Sequence, residues 1–254
     1  MEAVDADLAQ RLIDLNQRFY QNFAEAFSDT RGRLQPGVLH VLKDFPTRAD
    51  VLDLGCGNGT LAAELAGEGY AGRYVGVDFS EGLLEIARSN VPRPASDAGR
   101  EQGFDPVFLQ ADLTRPDWSQ QLEDPPFDYV LAFALLHHLP GETIRLQLLR
   151  QVHELLKPGG RFIHSNWQFL NSERLRERIQ AWESVGILDD EVDKWDYLLD
   201  WRRGGEGLRY VHYFTEEQLA ELAEKSGFVV EDTFYSDGAT GDLGLYQIWM
   251  RTER

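Results

Sequence analysis

The chain has 254 residues, 43% of them hydrophobic and 27% charged, which suits one α/β domain with additions and argues against wholesale disorder. A single cysteine, Cys56, excludes an intrachain disulfide, and no Cys/His spacing reads as a metal site. A formal net charge of −18 disfavours non-specific binding to nucleic acid or anionic membrane.

The acidic N-terminus lacks the pattern of a signal peptide, and no apolar stretch is long enough to span a bilayer. The expectation is a cytoplasmic protein with no membrane partner. Residues 5–30 carry a helical pattern, with Leu8, Leu12, Leu15, Phe19, Phe23 and Phe27 recurring at spacings of three or four. Gly32 and Pro36 interrupt it, and a second helix is predicted over about 36–45.

An alternation of strands and helices follows. Strands are predicted at Ala49–Leu54, Tyr74–Asp78, Val107–Gln110, Phe127–Phe133 and Arg161–Ser165. Helices are predicted at Thr60–Ala66, at Glu81–Ser89 with Ser80 as N-cap, and at Glu142–Leu156, stopped by Pro158-Gly159-Gly160. Residues 91–105 are rich in Pro, Gly and charge and read as a surface loop. Residues 166–213 fit no simple alternation. With Trp167, Trp182, Trp195, Tyr197, Trp201, Tyr210 and Tyr213, they read as a partly helical cap over the carboxyl ends of the strands. A helix capped by Thr215 then precedes two strands, Val229–Tyr235 and Leu245–Arg251, joined by a loop as an antiparallel pair.

The expected fold is therefore α/β: a Rossmann-like, seven-stranded, mostly parallel sheet with an antiparallel C-terminal pair, helices on both faces, and an inserted aromatic-rich cap. Four segments are expected: an N-terminal helical segment (1–46), a core (47–165), the cap (166–213) and a completing segment (214–254).

The sharpest local signal is Asp53-Leu54-Gly55-Cys56-Gly57-Asn58-Gly59-Thr60, a buried strand running into a glycine turn and then a helix. Glycine is needed where backbone turns sharply and approaches a ligand closely. The dinucleotide fingerprint G-x-G-x-x-G would put its third glycine at Thr60, so the spacing here differs from that of an NAD-dependent oxidoreductase. The string resembles motif I of class I S-adenosylmethionine (SAM) dependent methyltransferases, of the type 11/12 kind.

That resemblance implies SAM as cofactor and S-adenosylhomocysteine as product. It places the turn of Gly55, Cys56 and Gly57 behind the methionine part of SAM, with Asp53 ordering the turn and the amino group. Asp78, ending the second strand, would accept both ribose hydroxyls, and Phe79 would pack on the adenine. Asp112 would meet the adenine amino group and the Leu113 N–H would contact the ring. Phe127 to Leu139 is similar to motif IV of small-molecule and RNA-nucleoside enzymes and lacks the N-P-P-Y string of DNA amino-methyltransferases. On it, Ala132 and Phe133 would lie along SAM. His137 would point toward the acceptor as a candidate base, or with His138 simply cap and pack the next helix. Tyr20 and Arg31 would close over SAM, or pack in the core and form a surface pair.

Phe27-Ser28-Asp29-Thr30-Arg31 and Arg209-Tyr210-Val211-His212-Tyr213-Phe214 are similar to segments of tRNA wobble-uridine carboxyl methyltransferases. Between 171 and 200, however, acidic residues outnumber basic ones, so no extended phosphate track is legible. The expected acceptor is a small molecule or a tRNA nucleoside, and a non-catalytic SAM-fold binding protein is the alternative function.

Overall fold

The computed structural model describes residues 5–29, 32–91 and 104–252; Arg31 and most of the expected 91–105 loop lie outside them. Helices α1 (Ala6–Asp29) and α2 (Pro36–Leu42) lead into β1 (Asp50–Leu54), α3 (Thr60–Gly67), β2 (Arg73–Asp78), α4 (Glu81–Asn90), β3 (Val107–Gln110) and β4 (Phe127–Phe133). Then come α5 (Glu142–Leu155), β5 (Leu156–Trp167), β6 (Ile179–Gln180), β7 (Asp196–Trp201) and β8 (Gly207–His212). The chain closes with α6 (Glu216–Ser226), β9 (Phe228–Ser236) and β10 (Gly244–Arg251).

Seven strands form one sheet in the order β3-β2-β1-β4-β5-β10-β9. The five from β3 to β5 pair in parallel, and β10 runs antiparallel to both β5 and β9. This is the expected Rossmann-like sheet with its antiparallel C-terminal pair. From β1 the chain winds outward through β2 and β3, then returns to β4 on the other side. The strand order reverses between β1 and β4, and such a reversal opens a crevice at the carboxyl ends of the strands.

Period-two patterning divides β4 cleanly. Val130 and Ala132 face a core shared with α5 and α6, including Leu148, Leu149, Val152, Leu219 and Trp249. Tyr129, Leu131 and Phe133 face the opposite layer with Leu61, Leu65 and Tyr246. The helix caps follow the sequence. Ser80 Oγ accepts from Leu83 N–H (3.4 Å), and Thr215 and Gln218 form a reciprocal capping box.

Two elements differ from expectation. Strand β5 begins at Leu156 and runs through Pro158-Gly159-Gly160 with a shift of register against β4 between Phe127 and Tyr129. Gly160 fits there because a Cβ would come within 3.0 Å of Asp128 O. The inserted segment, expected to be partly helical, has a helical turn at Glu173–Arg176 and short 3-10 turns, but its main feature is unexpected: β6, β7 and β8 form a separate antiparallel sheet. Its aromatic residues supply its own core. Trp182, Leu198 and Tyr210 pack with Leu8 and Leu12 of α1, while Phe169, Leu175 and Val211 form a second cluster at the end of β5. The N-terminal helix and the insertion thus share one apolar seam above the main sheet.

Candidate active site

The glycine turn after β1 is built on left-handed backbone: Gly55, Gly57 and Gly59 have φ of 71°, 55° and 72°. At Gly59 a Cβ would also lie 2.7 Å from the Cβ of Ala87, so the turn and α4 meet at contact distance. The N–H groups of Gly55 and Cys56 both donate to Val77 O (2.7 and 3.1 Å), tying the turn to β2. Gly57 N–H donates to Asp78 Oδ2 (3.0 Å) and Ser80 N–H to Asp78 Oδ1 (2.9 Å). Each oxygen of an ionised carboxylate can accept more than one hydrogen bond, so Asp78 retains capacity for two further donors.

A cavity of about 480 Å³ opens over this turn, a volume suited to a nucleoside-sized ligand. Asp53, Gly55, Cys56, Gly57, Asp78, Phe79, Asp112, Leu113, Phe133, Tyr20 and His137 all line it. Of the residues expected at the site and described in the structure, Ala132 alone lies elsewhere: it is wholly buried in the α5/α6 core, and Ala134 lines the cavity beyond Phe133 instead. Adjacent residues of a strand face opposite sides, so Ala132 and Phe133 cannot share one face. Arg31 falls outside the described residues.

Burial sets the electrostatics of the floor. Desolvation pushes the Asp78 carboxyl up to about 6. Asp53, buried and receiving the Tyr74 hydroxyl at 2.5 Å, is pushed up to about 7, first by desolvation and then by its neighbour Asp78, against the lowering effect of the Tyr74 bond. The Cys56 thiol is held well above its usual range by burial and by the same two carboxylates, so it is not a thiolate nucleophile. The unfolded chain ionises Asp53 and Asp78 in the ordinary carboxylate range. The folded chain without a ligand therefore retains the Asp53 proton up to about pH 7 and the Asp78 proton up to about pH 6, so their contribution to stability is fully present below the ordinary carboxylate range and is lost as pH rises from there through these values.

Helix α1 forms the roof. Tyr20 hydroxyl lies 2.7 Å from His138 Nε2, and His138 Nδ1 lies 3.2 Å from the Tyr210 carbonyl. A carbonyl can only accept, so the proton is on Nδ1, and Nε2 accepts from Tyr20. Tyr20 also packs edge-on against Phe79, with ring centroids 6.0 Å apart. Asn16 donates to His138 O and to Tyr210 O (both 3.1 Å), and Tyr210 N–H donates back to Asn16 Oδ1 (2.8 Å). Gln17 Nε2 donates to Asp112 Oδ2 (2.9 Å), whose other oxygen is held by Thr114. Asn16 and Gln17 were not singled out from sequence, although they share a helical face with Tyr20 at spacings of four and three.

His137 is buried, and its Nδ1 accepts from Trp167 N–H at 3.3 Å. In the neutral ring the proton then sits on Nε2, which makes that edge a hydrogen-bond donor rather than a base. The remaining wall comes from residues far apart in sequence: Ser165, Asn166 and Trp167 at the end of β5, Arg174 and Leu175 after it, Arg209 on β8, and Asp237, Gly244 and Tyr246 from the C-terminal hairpin. No local pattern could have assembled these before the fold was known.

The chain matches the family model of the methyltransferase domain over residues 26–233. It is 30% identical over 218 residues to the tRNA (carboxymethyluridine(34)-5-O)-methyltransferase of Schizosaccharomyces pombe, covering 82% of this chain and 86% of that one. A longer protein of the same name from Arabidopsis thaliana is matched over only 32% of its length. Among solved structures, a SAM-dependent methyltransferase from Methanosarcina mazei superposes with a TM-score of 0.65 at 22% identity, over 87% of this chain and 99% of that one. The 1,6-didemethyltoxoflavin-N1-methyltransferase of Burkholderia thailandensis, solved with its substrate and S-adenosylhomocysteine, gives 0.57 at 22% identity, over 99% and 94%. At these identities the two structures share its fold.

Proposed function

The chain belongs to the methyltransferase domain family, and we propose that its methyl donor is S-adenosylmethionine, held in the cleft over β1, β2 and β3 while the acceptor enters beneath the inserted sheet. The acceptor is a small molecule or a modified tRNA nucleoside. The observation that carries this reading is Asp78: a buried carboxylate braced by Gly57 and Ser80 N–H groups, at the wall of a cavity of fitting size.

The residues present fit the donor. Asp78 has acceptor capacity for the two ribose hydroxyls, and Phe79, Leu113 and Asp112 line the stretch of wall that suits the adenine. The positive-φ turn at Gly55 and Gly57 brings backbone up to the ligand, and a Cβ at Gly55 would already press on Leu135 at 3.2 Å. Asp53 supplies the anionic partner for an ammonium group. When bound, S-adenosylmethionine supplies an electrophilic methyl group on a sulfonium centre. The protein's part is alignment and exclusion of water: Tyr20 and the rest of α1 roof the cleft, and Phe133, Ala134 and His137 border the side facing the acceptor.

A calorimetric titration tests the reading. A ligand with a cationic end and hydroxyl donors favours the ionised forms of Asp53 and Asp78, so affinity is expected to rise as pH increases through 6 to 7 and binding near pH 6 to release protons. S-adenosylmethionine is expected to bind at least about tenfold tighter at pH 8 than at pH 5.5, since each pH unit below a controlling pKa costs up to a factor of ten. NAD is expected not to bind. Binding of NAD in its place, or pH-independent binding with no proton release, would contradict it.

A further inference from the structure

The roof helix presents one face to the cavity. Ile13, Asn16, Gln17 and Tyr20 recur on α1 at helical spacing, and all four line it. Asn16 bonds to His138 and Tyr210, and Tyr20 to His138, on the side of the inserted sheet. Gln17 reaches the other way, to the end of β3, where its Nε2 donates to Asp112 Oδ2 at 2.9 Å. Tyr20, one turn on, meets Phe79 edge-on with ring centroids 6.0 Å apart. The roof therefore touches the stretch of wall that suits the adenine at two points.

The acceptor sites on Asp112 can be counted. A carboxylate oxygen accepts about two hydrogen bonds. Oδ1 takes two donors from Thr114, the N–H at 3.0 Å and the hydroxyl at 2.6 Å, and is filled. Oδ2 takes Gln17 and keeps one site. An adenine amino group that meets Asp112 therefore places a single N–H there. Its second N–H is enclosed by the same walls, and an enclosed donor needs an acceptor of its own.

Gln17 carries that acceptor. Its NH₂ end faces Asp112, so its carbonyl Oε1 sits at the other end of the same planar amide, and among the described residues none donates to it. The spans agree. Two N–H bonds diverging from one amino nitrogen put their acceptors about 5 Å apart. An amide that donates through the N–H pointing away from its carbonyl sets its own oxygen about 5 Å from the atom it donates to.

We propose that Gln17 is a specificity-determining residue of the donor site: its carbonyl accepts the second N–H of the adenine amino group, while its NH₂ stays on Asp112. Asp112 and Gln17 then take one N–H each, and the amide-to-carboxylate bond holds the two acceptors in register. This rests on the reading of the cleft as the S-adenosylmethionine site and deepens it. A purine with oxygen in place of the amino group turns lone pairs toward both acceptors and is refused by both. Helix α1 is thereby part of the donor site as well as its cover, since the base is read partly from the sheet and partly from the roof.

Calorimetry at pH 8 with two ligands tests this: S-adenosylhomocysteine, and its 6-deamino analogue, whose purine bears only hydrogen at C6. The wild type is expected to prefer S-adenosylhomocysteine at least about 30-fold, the equivalent of one hydrogen bond to a charged acceptor and one to a neutral acceptor. Gln17→Leu keeps the bulk of the side chain and removes its polar end. Its preference is expected to be at least about fivefold smaller, with the deamino analogue bound within about threefold of wild type and the melting temperature little changed. Weakening of both ligands alike would make Gln17 a strut of the roof and overturn the proposal, as would an undiminished preference in the variant. If Gln17→Leu does not fold, a structure of the wild type with S-adenosylhomocysteine decides: Gln17 Oε1 within hydrogen-bond distance of the adenine amino nitrogen supports the proposal, and a Gln17 turned away from it overturns it. A wild type that binds neither ligand overturns the donor reading itself and this inference with it, whereas the variant outcomes sink this inference alone.

Discussion

Asp78→Ala weakens S-adenosylmethionine binding at least about 100-fold, because two hydrogen bonds from ribose hydroxyls to a buried charged acceptor are lost, each worth about 1.5–3 kcal/mol. The substitution also frees Gly57 N–H and Ser80 N–H, which hold the glycine turn against β2. Asp78→Asn is the more informative variant. It preserves size, but one of its two polar atoms becomes an NH₂ facing a backbone N–H that needs an acceptor. It should therefore bind at least about tenfold more weakly than wild type, the equivalent of one such bond. Calorimetry at pH 8, with melting temperature as a control for folding, reads both effects. A folded Asp78→Ala protein binding within threefold of wild type would remove Asp78 from the donor site.

The second large effect is on stability and lies away from the glycine turn. Asp196 has a fully buried side chain and accepts from Tyr210 hydroxyl (2.8 Å) and His212 Nδ1 (2.6 Å), with Arg145 Nη2 3.9 Å away. Arg145, itself buried on α5, donates to Tyr210 hydroxyl (2.9 Å) and to Leu139 O (2.9 Å), and lies over the Phe214 ring. This cluster joins α5, the turn after His137-His138 and the inserted sheet. Arg145→Ala leaves a buried carboxylate without its cation, a loss expected to cost roughly 3–5 kcal/mol in denaturant unfolding.

That deficit should depend on pH. Burial, and next the Arg145 charge, hold His212 down at about 4. Without Arg145, the adjoining Asp196 favours protonated His212 and raises its folded pKa. Stabilisation from that proton is present at low pH and is lost as pH rises through the raised value. The variant is therefore expected to be closer to wild type at pH 5.5 than at pH 8. A loss below about 1 kcal/mol, the size of an ordinary neutral hydrogen bond, would mean that the cluster carries no net charge pairing.

The parallel sheet was legible because each strand is a short apolar run closed by a turn signal, and because the Asp53–Thr60 string fixes where β1 ends. The partly helical cap expected over 166–213 has its short helical turns, but the expectation left out the sheet β6-β7-β8, although the sequence holds a signal for it. Asp196–Trp201 and Gly207–His212 are two runs with buried apolar positions on either side of a turn containing Gly204 and Gly205. Ala132 was placed beside Phe133 by motif, where strand alternation forbids both from facing the cleft. The wall opposite the glycine turn was beyond sequence reasoning for a different reason. Phe19, Trp167, Trp201 and Arg209 meet only because α1 and the inserted sheet share the seam of Leu8, Leu12, Trp182 and Tyr210.

A crystal structure of the protein with S-adenosylhomocysteine tests the central claim most directly. The predicted result has both ribose hydroxyls within hydrogen-bond distance of Asp78, the adenine between Phe79 and Leu113, and the amino-acid end over Gly55 and Asp53. The homocysteine sulfur would then face Phe133 and Ala134, with Arg209 beyond. Electron density for the ligand anywhere but this cleft, or with its adenine against Arg209 and Trp167, would contradict the account.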